Sequence, residues 1–192
     1  MKSLLVFILV ATSLVASSQD CNLLDSVRSF KGIKFGKPIP NNIKNRCMKL
    51  PKSSNDTLFV LVADSVLNNP SLFKYTSFKE QFESIDFGTL KNGDIYSVTL
   101  TQEAKGRDTV AINAKEDPPF ITSVHHELVR LFGNESEAKL GKTQGMGNYY
   151  RFKWICNNIE VSLTFLISIQ NLFFLEIKDK ELEKMKSLEE YQ

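Results

Sequence analysis

Across residues 148–156 the chain alternates without a break: Tyr150, Phe152, Trp154 and Cys156 fall on one side, and Tyr149, Arg151, Lys153 and Ile155 on the other. A period of two with one apolar and one polar series predicts a β-strand with a buried and a wet face. Asn157-Asn158 then predicts a turn into a strand marked by Ile159, Val161, Leu163 and Phe165, and Phe173, Leu175 and Ile177 mark a further one. Earlier in the chain, the Val-rich run 58–63 reads as a buried strand and the alternating 30–36 as a brief one. Lys91-Asn92-Gly93-Asp94 is the clearest turn signal, because Asn-Gly accepts the positive φ angles of a two-residue hairpin loop. Beyond it Tyr96, Val98 and Leu100 lie on one face and Ser97, Thr99 and Thr101 on the other. A second hairpin through Lys105-Gly106 would bring in 109–113.

Helical periods occur elsewhere. Leu23, Leu24, Val27 and Phe30 are at helix-compatible spacing, and Ile39, Ile43, Cys47 and Leu50 predict a short amphipathic helix over 38–50, ended by Pro51 and the polar loop 53–56. Asp117-Pro118-Pro119 opens a longer helix, with Asp117 as cap and Pro118 in the first turn. Its apolar stripe is Ile121, Val124, Leu128, Leu131 and Phe132, and Gly133-Asn134 is its stop. Residues 178–192 predict a charged terminal helix with Leu182, Met185 and Leu188 on a narrow apolar side, and 140–147 a glycine-bearing loop. In 70–87 the pattern supports both readings: Phe78 and Phe82 fit a helix turn, whereas Phe73, Tyr75, Ile85 and Phe87 fit strands. The order of elements predicts an α+β protein of antiparallel sheets with helices on one face, arranged as two similar units, 20–115 and 116–192, that share one core.

The first nineteen residues change the picture. Lys2, an apolar run over 4–11 and small residues over 12–18 form the pattern of a secretory signal peptide, too short for a comfortable membrane span. The mature chain is therefore expected to be exported, periplasmic or extracellular, with no stable span once the signal is removed. Lys and Arg number 24 against 22 Asp and Glu, a net charge of +2, which provides no field to steer nucleic acid. In an oxidising space the three cysteines, Cys21, Cys47 and Cys156, allow one internal bridge. Three pairings are open. Cys21 with Cys47 is favoured, since it would tie down a fraying end and stabilise by about 3 kcal/mol on the chain-entropy model, while Cys156 suits a buried thiol.

Candidate chemistry is sparse. His126-Glu127-Leu128-Val129-Arg130 approaches a zinc-protease helix, but Arg130 stands where the second imidazole is needed and a cation cannot ligate zinc. His125 sits at the stripe edge, and His126 and Glu127 on the wet side. Gly141-Lys142-Thr143 lacks the upstream glycine and strand of a phosphate loop. No nucleophile elbow occurs, and Asp94, Glu103, Asp108 and Glu116 are carboxylates that only folding could bring together. No metal and no cofactor are expected. Tyr149, Arg151 and Lys153 stand out as binding residues, because Tyr and Arg on the wet side of a strand are the types enriched at protein contacts.

Gly32-Ile33-Lys34-Phe35-Gly36 before a helix, Leu131-Phe132-Gly133 at the end of the second helix, and the Trp154 strand with its hairpin resemble tandem α/β modules of small bacterial cell-envelope proteins. That class includes the beta-lactamase-inhibitor and outer-membrane-assembly-factor folds. The resemblance implies a scaffold for protein–protein contacts and carries over no functional residue; the lipid-bearing cysteine of the assembly factors is missing, since Asp20 precedes Cys21. The expected function is an exported, non-enzymatic protein-binding module, of inhibitor, immunity or assembly-helper type. The alternative is a secreted hydrolase whose carboxylates converge in the fold. A third reading is a scaffold recruited through its terminal helix.

Overall fold

The computed structural model describes residues 19–30, 33–53, 56–62, 84–103, 119–143, 147–167 and 172–190. The signal segment, most of the ambiguous 70–87 stretch, the 109–113 hairpin, Asp108, Glu116 and the Asp117-Pro118 cap lie outside them.

Alternation becomes strand wherever both sequence series are long enough to separate a dry from a wet face. Among the described residues the order is α1 (Cys21–Ser26), β1 (Ser29–Phe30), β2 (Ile33–Lys34), α2 (Asn41–Lys44), β3 (Met48–Ser53), β4 (Asp56–Val62), β5 (Ser84–Thr89) and β6 (Ile95–Glu103). Then follow α3 (Pro119–Phe132), β7 (Glu137–Thr143), β8 (Gly147–Ile155), β9 (Ile159–Ile167), β10 (Leu172–Asp179) and α4 (Lys180–Glu190). The protein is α+β. β1 and β2 form a small pair, and the rest form one eight-stranded antiparallel sheet of order β3-β4-β5-β6-β10-β9-β8-β7. That order is two four-stranded meanders joined through their last strands, with Leu100 of β6 opposite Leu175 of β10.

One sheet face is the core. Ile85, Phe87, Val98, Leu100, Leu163 and Leu175 pack in a single cluster with Leu24 of α1, Ile43 of α2 and Val124, Leu128 and Phe132 of α3. Trp154 is fully buried there, and its indole N–H donates to the Gly133 carbonyl at 2.9 Å, joining β8 to the end of α3. Gly133 takes φ +78° and its N–H donates to the Val129 carbonyl, so the predicted helix stop is where the structure has it.

Several expectations are corrected. The helix expected over 38–50 is one turn, 41–44, and 48–53 is an edge strand. Leu50, counted in the helical stripe, is exposed, as is its strand neighbour Met48, and Pro51 is tolerated because an edge strand can dispense with an outward N–H. The hairpin at 91–94 uses a three-residue loop: the Gly93 N–H donates to the Leu90 carbonyl, the Leu90 N–H donates to the Asp94 carbonyl, and Gly93 at φ +90° is the left-handed residue. Of the loop expected at 140–147, residues 144–146 lie outside the described residues, Gly147 opens β8, and 140–143 are the end of strand β7. Gly141 is there because the ring of its cross-strand partner Tyr149 lies over it and would overlap any Cβ. On α4, Met185 and Leu188 are exposed while Lys186 is buried. Polar bonds hold that helix: the Glu181 and Leu182 N–H groups donate to the Asp179 carboxylate, and Lys91 bonds Glu189 at the far end.

The expected Cys21–Cys47 bridge is also corrected, since the structure joins Cys21 to Cys156 with Cα atoms 5.4 Å apart. Residues 20–25 are seated on the β8–β9 turn and the end of α3, not on α2. The Asp20 N–H donates to the Phe132 carbonyl, and the Asp25 carboxylate accepts from the N–H groups of Asn157, Asn158 and Ile159. Cys47 remains a half-buried free thiol, donating to the Ile43 carbonyl, with burial pushing its pKa up. The bridge closes a loop with a sequence separation of 135, worth about 5 kcal/mol on the chain-entropy model.

Candidate functional site

The second sheet face is polar, and along β8, β9 and β10 it divides into two ends. At the end near the β8–β9 turn, Lys153 of β8 meets Glu160 of β9 at 3.0 Å, Glu160 meets Lys178 of β10 at 3.4 Å, and Lys178 meets Glu183 of α4 at 2.8 Å. This is an alternating chain of charges whose side chains are mostly withdrawn from water. Desolvation pushes the Glu160 carboxyl up, but Lys153 and Lys178 outweigh it and hold the pKa below the usual carboxylate range. Desolvation likewise opposes the charge on Lys178, and Glu183, Glu176 and Glu160 outweigh it and raise its pKa. Lys180 closes this end further, donating from its backbone to the Asn158 carbonyl and from Nζ to the Cys156 carbonyl.

Toward the other end the face opens into a depression of about 250 Å³ that crosses from β8 to β6. Tyr149 and Arg151 form one wall, Thr164 and Leu166 of β9 the floor, and Phe174 and Glu176 of β10 the opposite side. Ser162 and, at the far rim, Thr99 of β6 complete it. Arg151 is positioned twice over: its Nε–H donates to Thr164 Oγ1 at 3.0 Å, and its guanidinium carbon lies 4.9 Å from the Tyr149 ring centroid. Ser162 Oγ donates to Glu176 at 3.4 Å. The depression thus has an oriented cation on one side, a carboxylate on the other and an apolar middle.

Of the residues singled out from sequence, Tyr149 and Arg151 come together here, both half-buried. Lys153, two residues along the same face, belongs to the charge chain through Glu160. Tyr150, placed on the inward series, is 38% exposed, beside the exposed Leu140 that faces it across β7–β8, because the core does not reach that far along the strand. Phe174, Glu176 and Leu166 were missed. Phe174 and Glu176 occupy the outward positions between Phe173, Leu175 and Ile177, and a phenylalanine on the polar series of an amphipathic strand is the sequence signal that marks it.

The remaining candidates resolve into structure. Glu127 accepts from Arg130 in a bidentate pair, at 2.8 Å from Nε and 2.6 Å from the terminal nitrogen. His125 packs on Phe152 at 4.4 Å between ring centroids, with Glu135 3.5 Å from its Nε2. Among the described residues no three His, Cys, Asp or Glu side chains gather as a metal site, and none of the helices there is long and apolar enough to cross a membrane. Compared with known proteins, the chain matches no family model, no curated protein and no solved structure.

Proposed function

We propose that this chain is an exported, non-enzymatic protein-binding module that grips its partner with the open end of the polar sheet face. The observation that carries this reading is the Tyr149–Arg151 wall facing Phe174 across a shallow, open depression. Aromatic rings beside an oriented arginine are the residue types that dominate binding energy at protein contacts. The hydrolase reading is less well supported: among the described residues the depression is lined by one carboxylate, Glu176, and Glu160 on the same face is committed to two lysines, so those two do not make the acid–base pair glycoside cleavage needs. Export rests on the sequence of the first nineteen residues, and the disulfide suits an oxidising compartment. Gln19 bonds Ser136 and Cys156, and Asp20 bonds Phe132, so the expected mature start would be tied to the fold. Two meanders joined edge to edge are also in keeping with the resemblance to tandem envelope modules.

The test is affinity capture from the exported fraction of the native host, using the wild-type chain, Tyr149→Ala with Arg151→Ala, and Leu140→Ser on the opposite face. The proposal expects one partner retained by wild type and Leu140→Ser and lost by the double variant. Equal retention by all three would reject the open end as the binding surface.

A further inference from the structure

Lys139 of β7 and Arg151 of β8 are direct cross-strand partners on the polar face. Like charges set directly opposite destabilise a sheet, so such a pair calls for an anion. The same strands show the contrast one step along, where Glu137 stands opposite Lys153 and Glu160 bonds it. At Lys139 and Arg151 there is no such compensation: Lys139 is exposed, Arg151 spends only its Nε–H on Thr164, and neither Lys139 Nζ nor the terminal guanidinium nitrogens have a hydrogen-bond partner among the described residues.

We propose that this pair receives a carboxylate side chain of the partner protein, and that the apolar residue beside it seats on Tyr149, Leu166 and Phe174. The inference rests on the binding reading above and names the chemistry of the partner. Arg151 is preset for the task, because Thr164 and the Tyr149 ring fix its plane and leave the outer edge of the guanidinium fork open to a two-oxygen acceptor. Glu176 on the far side sets the polarity of the occupant. It repels a second acid and disfavours a doubly charged phosphate, so the motif is one Asp or Glu followed by an apolar side chain, with a hydrogen-bond donor toward Glu176.

The experiment is an NMR titration of the 15N-labelled protein with the blocked peptide acetyl-Gly-Glu-Phe-Gly-amide and its Lys-for-Glu twin at low salt. Saturable shifts of the Arg151 Nε–H and the Tyr149 and Thr164 amides are expected with the acidic peptide, at least tenfold weaker with the twin and with the Lys139→Glu protein. Equal responses to the two peptides, or none to either, would overturn the proposal. Partner capture separates the two levels. If Lys139→Glu retains the partner as wild type does while Phe174→Ala does not, the carboxylate inference fails and the binding face stands; if neither variant changes capture, both fail.

Discussion

The same three strands, β8, β9 and β10, end in opposite ways. Near the β8–β9 turn Lys153, Glu160 and Lys178 are all paired, α4 adds Glu183, and the disulfide, the Asp25 carboxylate and Lys180 pin the turn. Farther along β8, Tyr149 and Arg151 border an open depression and two cations face each other uncompensated. Burial and pairing at one end serve stability, whereas under the proposed binding role side chains left oriented but unpaired at the other would keep their interaction energy for an outside group. Changes at the closed end are therefore expected to move stability and spare binding, and changes at the open end to do the reverse.

The largest effect belongs to the disulfide. Cys21→Ser should lower unfolding free energy by about 5 kcal/mol, read from urea midpoints, while the surviving folded protein keeps the peptide-induced shifts at Arg151. Glu160→Gln comes next: it takes the ion pair from Lys153 and leaves Lys178 with the Glu183 ion pair alone, and because both lysines retain some contact with water the loss is expected near about 1–2 kcal/mol, below that of a fully buried pair. A drop of that size with altered capture would blur the division between the two ends.

Acid sharpens the same contrast. Desolvation pushes the Asp25 carboxyl up, and the backbone N–H groups of Asn158, Ile159 and Asn157 outweigh it, so its pKa lies below the ordinary value, as does that of Glu160. A depressed folded-state pKa contributes stability that is complete above the unfolded value, about 4, and is lost as pH falls through the folded value. The gap in urea midpoint between wild type and Asp25→Asn should thus be widest near neutrality and narrow on acidification; a constant gap between pH 7 and pH 3 would rule out this carboxylate as the acid-sensitive clamp. The smallest effect is at the open end, where Lys139→Glu turns a like-charge pair into an opposite one and should stabilise by about 0.5 kcal/mol, while weakening the response to the acidic peptide.

What could be read in advance follows from the range of each interaction. Helix α3 with its glycine stop, the 91–94 turn, and the strands of Trp154, Ile159 and Phe173 were legible because their signals are local periods of two or three to four residues. Edge strands β3 and β7 were not: with one neighbour each they need no clean alternation, and Met48, Leu50 and Leu140 stay exposed. The cysteine partner could not be read from spacing, since the pairing depends on where α1 lands on a turn far along the chain. Half of the open end was visible as Tyr149 and Arg151. The other half was invisible, because Phe174 and Glu176 join them only through the register that sets Arg151 opposite Thr164 and Thr164 opposite Phe174.

The link between residues 21 and 156 also orders events during synthesis. The ring cannot shut until residue 156 has been made, so the first meander must persist unlocked while the second is still emerging. Maturation is in that sense a property of the finished polypeptide: a product halted within β8 lacks the turn on which Cys21 and Asp25 are fastened.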